Sequence, residues 1–143
     1  MIKSVYVACS FRTDRWITRP RVQQLRRMGI EVTSRWIDTE EWGNPLGSGD
    51  DGLCALYARQ DFEDIDRADA VLYFADFVSV GKHVELGYAC AKGKLVLIVG
   101  HPTSVFCFLP NVQRFDTWGT FVTWLTMRVP APPVQIPLDE LPF

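Results

Sequence analysis

Apolar residues along the 143-residue chain come in short runs parted by polar loops, and the runs alternate between strand-like and helix-like periods. Residues 2–8 are β-branched and aromatic, which predicts a first strand. A polar loop follows, and then Val22, Leu25 and Met28 recur at three-residue spacing, predicting a helix that Gly29 stops. Pro20 falls inside that pattern. Proline is easiest in a first turn, so the regular helix is expected to start near Arg19, with 13–18 as an extended loop or separate turn. Residues 30–37 alternate as a second strand, and the Gly- and acid-rich stretch 38–51 reads as a loop. Leu53, Leu56, Tyr57, Gln60, Asp61, Asp64 and Ile65 fit a helix whose later turns carry acids beside the apolar face.

The continuous apolar run 70–75 predicts a central strand covered on both faces. A loop over 76–82, holding Gly81, leads to a helix through Val84, Leu86, Tyr88, Ala89 and Cys90 that Gly93 closes. Residues 95–99 predict another buried strand, 113–117 a short last strand, and 118–127 a last helix. In 129–143 five of fifteen residues are proline, so this tail is not a regular helix. Its Val134, Ile136, Leu138, Leu141 and Phe143 are expected to pack on the body, residues 1–128, or on a neighbouring subunit. Alternating strands and helices imply right-handed crossovers and an α/β domain: an open, mostly parallel sheet of about five strands with helices on both faces, Rossmann-like or flavodoxin-like. Ligands of such sheets bind beyond the carboxyl ends of the strands. That rule gathers 10–15, 35–51, 76–82 and 101–108 around one pocket.

Length allows one domain. Hydrophobic residues make up 48% and charged residues 22%, and apolar runs such as 96–99 fall far short of the ~18 residues of a membrane span, so no membrane partner is expected. Lys3 runs straight into the first strand-like segment, without a signal-peptide pattern, so cytoplasmic residence is expected. A net charge of −2 lacks the basic footprint of a protein that coats polymeric nucleic acid. Cys9, Cys54, Cys90 and Cys107 stand singly, without a C-x-x-C pair or a His at metal spacing, and read as reduced thiols rather than metal ligands.

Glu85 lies near the start of its helix at the crevice end of the sheet. It fits two readings: an acid complementing the helix dipole, or a carboxylate half-buried between Val84 and Leu86 and facing a cavity. Asp61 belongs to an acid-rich stretch, 61–66, of which most charges must solvate a helix face; the pattern does not choose among them. Ser10 and Arg12 follow the first strand, where a hydroxyl, a guanidinium and backbone N–H groups could hold a phosphate, although Arg12 and Arg15 also suit an ordinary surface. Neither the Walker loop nor the G-x-G-x-x-G turn is present. Trp16, Trp36 and Trp42 flank the crevice loops as base-stacking rings or as core, with Trp36 beside Arg35 the best-placed platform.

Segments 6–12, 61–65, 68–71 and 79–94 together resemble the nucleoside 2-deoxyribosyltransferase superfamily, over roughly residues 4–100. The Gly-x-x-x-Glu-x-Gly-x-Ala-x-x-x-x-Lys run from Gly81 to Lys94 is the most specific part. The resemblance implies that Glu85 is the nucleophile on the anomeric carbon of a nucleoside and that Asp61 assists it. Two carboxylates suit that chemistry, one trapping the oxocarbenium-like sugar and the other moving a proton, and neither calls for a cofactor or metal. Transferases of the superfamily usually carry an acid where Ser79 stands. The nucleoside 5′-monophosphate N-glycosidase branch uses Ser there, with a Ser and an Arg after the first strand, to bind the 5′-phosphate; Ser79, Ser10 and Arg12 match these, and Tyr6 matches a tyrosine that positions sugar and nucleophile. Phe11, Gly81, Arg35 and Trp36 are expected to line the substrate. Cys9 stands where that branch often has glycine, and 38–51 has no counterpart. Family members commonly form dimers, which implies a neighbour's loop near 104–111 completing the site. The expected activity is hydrolysis of a (deoxy)nucleoside 5′-monophosphate to base and sugar phosphate, with base exchange between nucleosides or non-catalytic nucleotide binding as the alternatives.

Overall fold

The computed structural model describes residues 1–10, 15–39, 45–76 and 78–129. Its sheet has five parallel strands: β1 (Ser4–Ala8), β2 (Glu31–Val32), β3 (Ala70–Phe74), β4 (Leu95–Val99) and β5 (Val112–Phe115), in the order β2-β1-β3-β4-β5. β1 lies between β2 and β3, pairing Val5 with Val32 on one side and with Ala70 on the other. Every residue of β1 and β3 is buried, as a strand covered on both faces requires.

Four helices cover the sheet: α1 (Arg15–Arg27), α2 (Asp51–Arg67), α3 (Val80–Ala91) and α4 (Trp118–Thr126). The path from β1 to β2 runs opposite in direction to the paths from β2 to β3 and β3 to β4. With right-handed crossovers, α1 therefore lies on one face and α2 and α3 on the other. Side chains agree. Trp118 of α4 donates its ring N–H to Gln24 of α1 at 2.8 Å, and the Arg21 guanidinium covers the rings of Phe74 and Trp118. On the opposite face Phe62 of α2 stacks on Tyr88 of α3 with ring centroids 4.1 Å apart.

Several boundaries differ from the sequence reading. α1 begins at Arg15 rather than Arg19, with Pro20 inside it. The carbonyl that Pro20 leaves without its helical partner belongs to Trp16, which is 87% exposed and so open to water. The second strand stops at Val32 and gives way to a 3-10 turn over Arg35–Asp38. Hydroxyls take over from the ladder there: the Ser34 hydroxyl accepts from Val7 N at 2.6 Å, and the Thr33 hydroxyl donates to Asp64 O at 2.8 Å. α3 starts at Val80, so Gly81 and Lys82 are helical rather than in a loop; Ser79, in extended conformation, is the N-cap. Gly93, at φ 67°, ends that helix in the left-handed turn expected of a C′ glycine. The last strand is displaced by one or two residues, to Val112–Phe115. The tail beyond Val129 lies outside the described residues.

Asp64 ties these parts together. Its fully buried carboxylate accepts from Arg35 N at 2.9 Å, Arg35 Nε at 2.8 Å and Arg67 Nη2 at 2.8 Å, pinning the turn after β2 to α2. Both arginines are about half exposed, so losing the carboxylate leaves them solvated rather than stranded. Asp64→Ala is expected to cost about 2–3 kcal/mol, the scale of hydrogen bonds to a charged group, in urea unfolding. A loss below about 0.5 kcal/mol would show that the pin is idle.

Candidate active site

Tyr6 stands in the middle of β1 with no exposed surface, and its hydroxyl donates to Glu85 Oε1 of α3 at 2.8 Å. The carboxyl of Asp61 on α2 also acts on this phenol. Three elements thus bring one hydroxyl and two carboxyls together on the α2–α3 face of the sheet. The α2 acids divide by partner. Asp64 holds Arg35 and Arg67, Glu63 meets Arg35 at 2.8 Å, and Asp66 accepts from Tyr88 at 2.9 Å. Asp61 is the one that reaches Tyr6, a choice that the sequence pattern left open.

Burial dominates the electrostatics. It pushes the Glu85 carboxyl up to about 8, with repulsion from Asp61 adding to the effect and Tyr6 and Lys82 opposing it. It pushes Asp61 up to about 6, opposed by Tyr6 and by Arg35. The Tyr6 phenol is held well above its ordinary range by burial and by the two acids, so it remains a hydrogen-bond donor. Two neighbouring acids that resist joint ionisation share one proton over the interval between their titrations. Such a pair supplies a carboxylate and a carboxylic acid at once, the combination that glycosidic cleavage uses.

Of the other residues singled out from sequence, Ser10 is buried just past β1. Ser79 sits at the α3 N-cap without using its hydroxyl as a cap. Gly81 lies in the first turn of α3, where a side-chain carbon would meet no atom within 4 Å, so the space over that turn is open. Arg35 is bound to Asp64, Glu63 and the Gln60 carbonyl. Trp36 is 6% exposed and lies among core residues, while Trp16 is exposed. Phe11, Arg12 and Trp42 lie outside the described residues. Lys82 escaped the sequence reading: it is 1% exposed, and its ammonium donates to Phe74 O at the end of β3. The available signal was its place three residues before Glu85, on what proves to be the same helix.

Because both carboxyls titrate higher in the fold than in an open chain, the folded state retains protons that the unfolded chain sheds from about pH 4 upward. The site's contribution to stability therefore falls as pH rises from about 4 to about 8. Glu85→Gln keeps an acceptor for Tyr6 and removes the charge. It should raise Tm at pH 8, by about 2–8 °C per kcal/mol relieved, and change it little near pH 4.5; a gain that does not vary with pH would contradict this account.

No family model and no curated protein sequence matches the chain. Solved structures do. A CMP N-glycosidase of Clostridium botulinum, BcmB, superposes with a TM-score of 0.57 at 18% identity, covering 87% of this chain and 99% of its own. A 2-deoxyribosyltransferase of Bacillus psychrosaccharolyticus gives 0.61 at 20% identity, covering 81% and 88%. A conserved protein of Enterococcus faecalis gives 0.51 at 14% identity, covering 90% and 89%. The chain thus has the fold of the nucleoside 2-deoxyribosyltransferase-like proteins, an N-glycosidase among them.

Proposed function

We propose that the protein is an enzyme that hydrolyses the N-glycosidic bond of a (deoxy)nucleoside 5′-monophosphate. The observation that carries the reading is the Tyr6 hydroxyl, 2.8 Å from Glu85 and acted on also by Asp61, in a chain that superposes on a CMP N-glycosidase. The proton that the pair retains passes from Glu85 to Asp61, and a Glu85 oxygen then attacks the anomeric carbon and forms an ester as the carbon–nitrogen bond breaks. The bonding pair leaves with the base, which takes a proton from Asp61. Water then gives a proton to Asp61 and attacks the same carbon. Sugar 5-phosphate departs, and Glu85 is again a carboxylate. Tyr6 donates to the nucleophile before attack and fixes its direction. Ser79, Ser10 and Arg12 hold the phosphate, aided by the open first turn of α3, where a helix N-terminus favours an anion.

The reading extends to a cytoplasmic homodimer in which a neighbour's 104–111 segment completes the site. Val105, Phe106 and Phe108 in that segment are exposed, which supports burial against a second copy. The structure contains no helix, among the described residues, that is long and apolar enough to cross a membrane. Base exchange between deoxynucleosides is the second reading, supported by the TM-score of 0.61 with the deoxyribosyltransferase.

Chromatography of bases released from nucleoside monophosphates, beside the matching nucleosides, tests the proposal. Release from the monophosphates alone supports hydrolysis; a new nucleoside formed only with added free base supports exchange. Glu85→Ala should lose about 10³-fold or more of kcat with unchanged circular dichroism, and an active variant would remove Glu85 as nucleophile. Ser79→Ala should raise KM for a monophosphate about tenfold, the worth of one hydrogen bond to a charged group, and leave KM for a nucleoside unchanged. The kcat/KM profile should be bell-shaped with limbs near pH 6 and 8, rising as the pair loses its first proton and falling as it loses the second. Asp61→Asn should abolish the alkaline limb and leave a single limb, that of Glu85, below pH 8, because Glu85 no longer faces a like charge.

A further inference from the structure

Lys82 lies three positions before Glu85 on α3, which places their Cβ atoms about 5–6 Å apart on neighbouring surface of one helix. Its side chain is withdrawn from solvent. The ammonium donates to the Phe74 carbonyl and stands 4.6 Å from the centre of the Tyr73 ring. A buried ammonium is costly unless carboxylates share its surroundings, by several kcal/mol per ion. Among the described residues four titratable groups bear on it: Cys9 after β1, Asp76 after β3, Cys107 in the 3-10 turn at Val105–Phe108, and Glu85. Burial pushes the Cys9 thiol up to about 12, so it brings no charge. Asp76 is partly exposed and paired with Arg21 at 3.3 Å. Glu85, in turn, is faced by Tyr6 from β1, Asp61 from α2 and Lys82 from α3, and among the described residues Lys82 is the cation acting on it.

We propose that Lys82 is a positioning residue whose buried ammonium is the counter-ion that limits the rise of the Glu85 carboxyl and so enlarges its carboxylate fraction. This rests on the reading of Glu85 as nucleophile only for its catalytic consequence. Tying the ammonium to the end of β3 fixes the distance between the charge and the carboxyl. The carboxylate form of Glu85 is then favoured beside Asp61 without a direct ion pair that would block its attacking oxygen. Lys82 itself touches neither sugar nor base.

The test is the titration of the Glu85 carboxyl carbon in protein labelled with δ-¹³C glutamate, the signal being assigned by its loss in Glu85→Gln. In Lys82→Met the midpoint should rise by about one pH unit, the scale for removing a nearby opposite charge; Lys82→Arg should keep it near the parent value. An unmoved midpoint in a folded Met variant overturns the proposal. So does a folded Arg variant that titrates like Met, and so does failure of both Lys82→Met and Lys82→Gln to fold, which would assign the ammonium to the fold alone. The pH profile of base release separates the two claims. A pH profile with either limb rising alongside the carboxyl supports both, whereas a carboxyl that moves under an unchanged profile keeps the counter-ion and removes Glu85 from the chemistry.

Discussion

Parallel pairing of β1 with β3, while β2 occupies the other edge of β1, forces α2 to cross back over β1 and sets it beside α3. Every polar group of the site follows from that crossing. Side chains alternate along β1, so Tyr6 points to one face only, and on that face the helix pair supplies Asp61 and Glu85. The chain direction reverses at this same place, between β1 and β3, where a crevice opens in sheets of this order. Geometry and chemistry share one cause.

A phenol between two partly buried carboxyls is an arrangement that folding alone would not favour. Desolvation raises both acids, and their mutual repulsion raises Glu85 further. The hydroxyl offsets part of that cost by donating to Glu85, and the ammonium of Lys82 opposes the rest. A site that is strained in its resting state and relieved by a bound cationic sugar has its electrostatics aligned with an oxocarbenium-like transition state.

Strands β3 and β4 were legible because continuous apolar runs have few other homes, and β4 falls on the expected residues 95–99. The Gly93 stop was legible for a local reason, the left-handed turn. Failures arose where a distant partner decides. β2 ends early because Ser34 and Thr33 find acceptors and donors at Val7 and Asp64, residues that are far away in sequence. The start of α3 was hidden because Val80 and Val84 are exposed, so its first turn shows no apolar stripe. Glu85, Asp61 and Tyr6 came from a resemblance to known motifs; composition and period left Asp61 indistinguishable from Glu63, Asp64 and Asp66. Lys82 was invisible because a lysine is ordinarily a surface residue, and only packing shows this one to be buried.

The division of acids along α2 also couples scaffold to chemistry. Asp61 and Asp64 are three residues apart, hence neighbours on the helix, yet one reaches Tyr6 and the other anchors Arg35. The positive charge that Asp64 fixes in place is the charge that opposes the rise of Asp61, while the negative charge of Asp64 itself adds to that rise. Arg35 therefore acts on the site from within a structural ion pair. A change at Asp64 that left the fold standing would still release Arg35 from it and alter the ionisation of Asp61, so stability and the ionisation of the site are set in part by the same ion pair.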